Sequence, residues 1–222
     1  MASLGRIVLL AATAGSVDAL SFLALDHVFT ANMTGNLVLL GVAAAGGTPG
    51  QLLRHGASLL AFAVGALAGG AATAASRRAT PMLVGELGLL LALAGMWNAL
   101  GVRPSAPGAV LGLILLAGGA MGLQSGVVQR LGPEGVSTTY QTGSVTSLMA
   151  GLLGAAGPRG APGRHRVAVV ISLVAGAVVG ALLLDDAARL VPVLPVVLVG
   201  VVVLWRWAEP DSARPRNRRG QA

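Results

Sequence analysis

The residues able to do chemistry in this chain are few, and they cluster. Thr30-Ala31-Asn32-Met33-Thr34-Gly35-Asn36 recurs in the second half as Thr138-Thr139-Tyr140-Gln141-Thr142-Gly143-Ser144, and each copy runs into a short apolar stretch. Hydroxyls and amides grouped around a glycine can bond a small ligand or line a polar path. Their repetition at corresponding places in two halves of a membrane protein points to a shared site at the interface of the halves. If helical, Thr138, Thr142 and Thr146 fall on one face with Gln141 beside them, and Thr30 with Thr34 and Asn32 with Asn36 share that spacing. The same groups can instead bond between helices, for under about 1 kcal/mol each.

Asp18 is the first ionisable group at membrane depth, midway along an apolar run. A carboxylate there is costly unless it faces a cavity, finds a partner or takes up a proton. Two readings follow: a proton- or cation-responsive group lining a path, or a structural carboxyl bonded to the hydroxyls or backbone of the Thr30 to Asn36 motif. The second-half counterpart falls near Gln124 and Ser125, which do not ionise. Glu86 has Val197 as its matching position, and placement near a helix end with snorkelling accounts for it. Asp26, Asp185 and Asp186 sit at segment ends and are expected to be solvated.

Catalytic signatures are lacking, so no enzyme is expected. His27, His55 and His165 all fall in expected loops, no HExxH spacing occurs, and no glycine loop ends in Gly-Lys-Ser/Thr. With no cysteine in the chain, disulfides, thiolate metal sites and thiol catalysis are excluded. Neither cofactor nor metal is expected.

The elements that must position these residues are membrane helices. Hydrophobic residues make up 55 % of the chain and charged ones 10 %, the composition of an integral membrane protein. Segments 108–128 and 167–184 carry no charge at all, enough to cross a hydrocarbon core of roughly 30 Å as helices. A barrel would need strands of about ten residues alternating apolar and polar, and no such alternation is present. The pattern predicts spans over about 5–25, 55–75, 81–100, 108–128, 166–184 and 189–207. Two further apolar segments, about 30–46 and 136–156, open with the polar motif. A short segment that starts with Thr, Asn and Gly suits a half-helix whose loosened backbone lines a cavity.

The repeat extends beyond the motif. Gly15 aligns with Gly122, Gly65 and Gly69 with Gly176 and Gly180, and Pro81 with Pro192, which suggests duplication of one four-segment unit. Gly118, Gly122 and Gly126 form a stripe suited to close helix packing, as do the paired glycines of the aligned segments. Trp97, Trp205 and Trp207 are expected as interface anchors.

The net charge of +7 does not imply nucleic acid. The basic residues are all arginine, placed between apolar segments and in the tail at Arg214, Arg216, Arg218 and Arg219, as in cytoplasmic loops and tails that meet anionic lipid. Six spans put every arginine except Arg54, Arg103 and Arg189 on the side of the N-terminus and make the halves inverted. Eight spans put all but Arg77, Arg78, Arg130 and Arg189 there and make them parallel. Either way both termini are expected in the cytoplasm. Arg6 ahead of an apolar run weakly resembles a signal peptide, but Asp18 interrupts that run, and a retained first helix is expected.

Gly15-x-x-Asp18-Ala19 followed by Phe29-x-x-Asn32-Met33-Thr34-Gly35-Asn36 resembles the signature of the YoaK-type family of bacterial membrane proteins, a domain of unknown function. Gly122-Leu123-Gln124 and Thr138-Thr139-Tyr140-x-Thr142-Gly143 are similar to that family's second block. Ser125, where an amide is expected, and Gln141, where an apolar residue is expected, depart from it. The resemblance implies a polytopic bacterial inner-membrane protein and supplies no substrate, cofactor or catalytic residue.

The sequence therefore predicts an all-α, polytopic helical membrane protein of two repeated halves, with six spanning helices and two short broken or re-entrant segments, or alternatively eight spans. One membrane domain covers 1–207, with halves about 5–102 and 108–207, and a basic cytoplasmic tail covers 208–222. The expected location is the bacterial inner (plasma) membrane and the expected partner is the lipid bilayer. The function that fits is a small secondary transporter or permease for a small molecule or ion. Asp18 would be its coupling group, and Asn32, Thr34, Gly35, Asn36, Gln124, Thr138, Gln141, Thr142, Gly143 and Ser144 would line its path. The alternative is a non-transporting membrane scaffold or helix-packing partner.

Overall fold

The computed structural model describes residues 4–76, 79–102, 104–131 and 163–208, with positions 146 and 149 as isolated helical residues. Seven helices form the described structure: α1 Leu4–Ala24, α2 Met33–Gly46, α3 Pro49–Ser76, α4 Thr80–Ala99, α5 Pro107–Leu131, α6 Gly163–Asp186 and α7 Val193–Ala208. No strand occurs among the described residues. Five of the helices, α1, α3, α4, α5 and α6, are long and apolar enough to cross a membrane. With 16 residues, α7 is about 24 Å long, and α2 with 14 is about 21 Å.

Local chemistry sets the boundaries. Proline opens α3 and α5 and lies at the start of α4, where its missing N–H is not needed. Thr48 and Gln51 form a capping box ahead of α3: the Gln51 N–H donates to Thr48 Oγ1 at 3.2 Å, and the Thr48 N–H donates to Gln51 Oε1 at 2.9 Å.

The most enclosed helices, α1 and α5, make the centre of the bundle. On their flanks α1 packs against α6 and α7, while α5 packs against α3 and α4. Contact between α4 and α7 joins the two sets, and α2 lies on α3. Leu60, Leu67 and Leu204 show how apolar the outer faces are, each more than 60 % exposed. In lipid such faces need no cover, and helix association must come from packing and hydrogen bonds.

Glycine provides that packing. A Cβ at Gly15 would strike the Leu173 carbonyl and the Ala177 nitrogen, and one at Gly122 would strike the Phe62 carbonyl and the Ala66 nitrogen. In return Gly65 and Gly69 of α3 lie on the Gly119 and Leu123 carbonyls, and Gly176 and Gly180 of α6 lie on the Ala12 and Ser16 carbonyls. These are the same contacts with the two halves exchanged. Within each pair the helices run parallel, because the contacts advance together along both chains.

Chain direction follows from four further contacts. Asp26, just past the end of α1, forms an ion pair with Arg54 in the first turns of α3, so α3 starts on the side where α1 finishes. Asn36 of α2 donates to Ser58 of α3 at 3.1 Å, and Gly47 caps α2 beside Gln51, so α2 runs back to that same side. The Trp97 indole near the end of α4 donates to the Ala188 carbonyl ahead of α7 at 2.9 Å, which sets α4 and α7 antiparallel. Between the central helices, Gln124 of α5 donates to the Leu10 carbonyl of α1 at 3.0 Å.

Several sequence expectations change. Trp97 is fully buried and hydrogen-bonded inside the bundle, whereas Trp205 and Trp207 do lie on the outer surface. His55 and His165 are on helices α3 and α6 and only His27 is in a loop. Glu86 is buried, not at a snorkelling position, while Val197 is 53 % exposed. The inward row Leu83, Glu86, Leu90 and Leu93 of α4 has the spacing of Pro192, Pro195, Val199 and Val202 around α7, which makes Pro195 the residue matching Glu86 by burial.

Gly122→Val is expected to destabilise the protein by about 1–3 kcal/mol or more, since the new side chain meets helix backbone that cannot turn aside. Gly88→Ala, where a Cβ meets open space, should stay within about 1 kcal/mol of wild type, on the stabilising side. Thermal unfolding of both variants in detergent micelles checks the contrast.

Candidate functional site

The site is built where α1 gives way to α2. After Ala24 the chain turns through Asp26 and His27, both at positive φ (61° and 59°). That left-handed turn is uncommon for residues with a side chain and is held from several sides. Leu25 and Val28 are buried, Phe22 stacks on Phe29 with ring centroids 4.7 Å apart, and His27 meets Phe22 edge-on.

The chain then runs back along α1, and its backbone N–H groups find no helical acceptor. Asp18 receives them. Its Oδ1 accepts from the Thr30 and Ala31 amides at 2.8 and 2.7 Å, and its Oδ2 accepts from the Asn32 amide at 3.0 Å. Three backbone hydrogen bonds converge on one carboxyl group. The Asp18 carboxylate thus holds the lead-in to α2 about 9 Å inside the end of α1.

Asn36 makes a second clamp. Its Oδ1 accepts from the Phe29 N–H at 3.0 Å, and its Nδ2 donates to the Phe29 carbonyl and to Ser58. Ser58 donates to the same carbonyl at 2.6 Å, and His55 Nδ1 lies 3.4 Å from Asn36 Oδ1. The hydroxyls of Ser21 and Thr30 meet at 3.2 Å. Asn32 caps α2 by accepting from the Gly35 N–H at 3.3 Å. A Cβ at Gly35 would lie 2.9 Å from the Phe29 ring and 3.0 Å from Asn32 Nδ2, so a larger residue would require the ring or the cap to shift.

The structure therefore gathers Asp18, Asn32, Gly35 and Asn36 into one place and adds Ser21, His55 and Ser58. These three had a signal in the sequence: Ser21 is one turn from Asp18, and Ser58 one turn from His55, on otherwise apolar helices. Thr34 is exposed beside the cluster. Thr30 and Asn32 precede the helix, so the expected helical faces with Thr34 and Asn36 do not form. Gln124 lies elsewhere, at the level of Leu10, about 12 Å along α1 from Asp18. Thr138, Gln141, Thr142, Gly143 and Ser144, with the whole 136–156 segment apart from helical positions 146 and 149, lie outside the described residues, as does the tail beyond 208.

Glu86 is the residue that sequence reasoning undervalued. It is fully buried, and neither carboxyl oxygen has a hydrogen-bond partner among the described residues. Among the described residues no group of three His, Cys, Asp or Glu could hold a metal.

Five long apolar helices packed around a buried polar cluster define a polytopic helical membrane protein. The chain belongs to the family described as Protein of unknown function (DUF1275), whose pattern matches residues 7–205. It is similar to the UPF0700 transmembrane protein YoaK of Bacillus subtilis (strain 168), with 31 % identity over 153 residues, 63 % of this chain and 62 % of that protein. The match thus spans less than two thirds of the relative's length. No solved structure matches the chain.

Asp18→Asn should lower stability by roughly 1–3 kcal/mol, since an amide nitrogen in place of Oδ2 would face the Asn32 N–H donor to donor. Asp18→Ala should cost more, leaving all three amides without an acceptor. Hydrogen exchange read at residues 29–36 checks this, with local opening expected there before the bundle unfolds.

Proposed function

We propose that this protein is a small secondary transporter of the bacterial inner membrane, with six spanning segments in two inverted halves and a re-entrant half-helix in the first half, matched by its repeat in the second. The observation that carries the reading is α2: its lead-in lies at the depth of Asp18, and it returns to the side from which the chain came. Discontinuous helices with polar ends inside the membrane are the usual substrate- and ion-binding elements of inverted-repeat transporters. The exchange of glycine contacts between halves and the antiparallel course of α4 and α7 further support inversion, since eight spans would make α4 and α7 parallel.

On this reading the path lies between the halves. Asn32, Thr34 and the start of α2 line one part of it and the segment from Thr138 to Ser144 the other. The substrate is a small molecule or ion. Both termini are cytoplasmic, where the arginine-rich loops and tail meet anionic lipid. A scaffold without transport is the second reading, favoured by the fully engaged Asp18 carboxylate, which has the partners expected of a structural group.

Two measurements test these points. The chain has no cysteine, so Thr48→Cys and Ser105→Cys give clean topology probes. Both should react with a membrane-impermeant maleimide added to intact cells under six spans, and protection of both would favour eight. In proteoliposomes carrying an internal pH dye, a panel of small metabolites should include one that produces a pH change in wild type and none in Asp18→Asn. A panel that moves nothing, with a variant that is only less stable, would establish the scaffold reading instead.

A further inference from the structure

Glu86 has no role in the polar cluster around α2. A Cβ added at Gly85 would lie 3.8 Å from the Leu123 side chain, and the neighbouring Gln124 reaches the Leu10 carbonyl. These contacts put Glu86 at the level of Leu10, on the opposite side of the bundle centre from Asp18. Around it the inward row of α4 is Leu83, Leu90 and Leu93, all buried. The two carboxyl groups thus have opposite surroundings, one with three amide donors and one with no donor among the described residues.

A carboxyl buried without a donor or a counter-charge is strongly disfavoured as an anion. A hard metal cation would need several oxygen ligands around it, and no group of three His, Cys, Asp or Glu that could hold one occurs among the described residues. A proton needs only the carboxyl. Among the described residues no charge pairs with Glu86: Arg130 of α5 is about two turns beyond Leu123, Arg206 is in the last turn of α7, Arg54 and His55 are in the first turns of α3, and Arg6, buried on α1, is about one turn before Leu10. Glu86 is the only ionisable group on α4 itself.

We propose that Glu86 is a proton-binding site inside the membrane domain, loaded as the neutral acid and unloaded when the surrounding helices admit water. Asp18 remains the hydrogen-bonded latch of the segment that leads into α2. The inference rests on the transport reading only for what the proton is coupled to, and names the coupled ion as H⁺; the binding site itself does not depend on that reading.

The test uses the full protein in liposomes treated with an apolar carbodiimide. The acid proton passes to a carbodiimide nitrogen, the carboxylate oxygen adds to its central carbon, and acyl migration to nitrogen leaves a stable N-acylurea that keeps every atom of the reagent. Mass spectrometry should find the adduct on Glu86, decreasing by about tenfold or more as pH is raised, and absent from Asp18 and from Glu86→Gln. Infrared difference spectra should show a buried carboxylic-acid carbonyl band that is missing in Glu86→Gln and disappears at high pH. A folded protein with no adduct on Glu86 at any pH, or a band that persists at every pH, overturns the proposal. Because labelling requires no flux, a metabolite panel that fails leaves this site standing, and a site that fails leaves the transport reading to its own test.

Discussion

The Asp18 carboxylate and the three backbone amides it binds are the contact on which the first half of this protein depends. A chain that leaves its helix inside a membrane exposes N–H groups to a medium that offers no acceptor. Here one side chain supplies the acceptor for Thr30, Ala31 and Asn32 together, and the side chain of Asn36 closes both ends of the Phe29 peptide. With those groups satisfied, α2 can begin at depth, and the turn at Asp26 and His27, the Phe22–Phe29 stack and the capped start of α3 all follow from where it begins.

Close approach of helices is the second constraint. Lipid gives apolar side chains no reason to leave it, so bundle formation relies on dispersion and on backbones that come near enough to gain it. Glycine at positions 15, 65, 122 and 176 puts α1 against α6 and α3 against α5 at backbone contact. Each pair joins a helix from the first hundred residues to a later one, which leaves α1 and α5 at the centre.

The halves do not carry the same chemistry. Asp18 has Ser125 at its corresponding position and Glu86 has Pro195 by burial, so both carboxyl groups come from the first hundred residues, at different levels. One is engaged by amides and the other is surrounded by apolar groups. A symmetric packing scheme thus holds an asymmetric pair of acidic groups, the arrangement required if one of them is to be structural while the other changes its proton.

Much of the architecture was legible in the sequence, because hydropathy alone dictates which segments enter lipid: the five long helices begin and end within a few residues of the predicted spans, apart from the earlier start of α3. The polar opening of the Thr30 to Asn36 motif coincides with the non-helical lead-in to α2. What the sequence left open was which way each helix faces. In water an apolar stripe identifies the inward side, but in a membrane both sides are apolar, so nothing in the order of residues distinguished buried Glu86 and Trp97 from surface groups, or brought His55 and Ser58 to Asn36. Composition and spacing determined that the chain spans a membrane and where its polar break lies. Only the tertiary structure decided that Asp18 meets backbone amides while Glu86 meets none, because those partners come from chain direction and packing and not from periodicity.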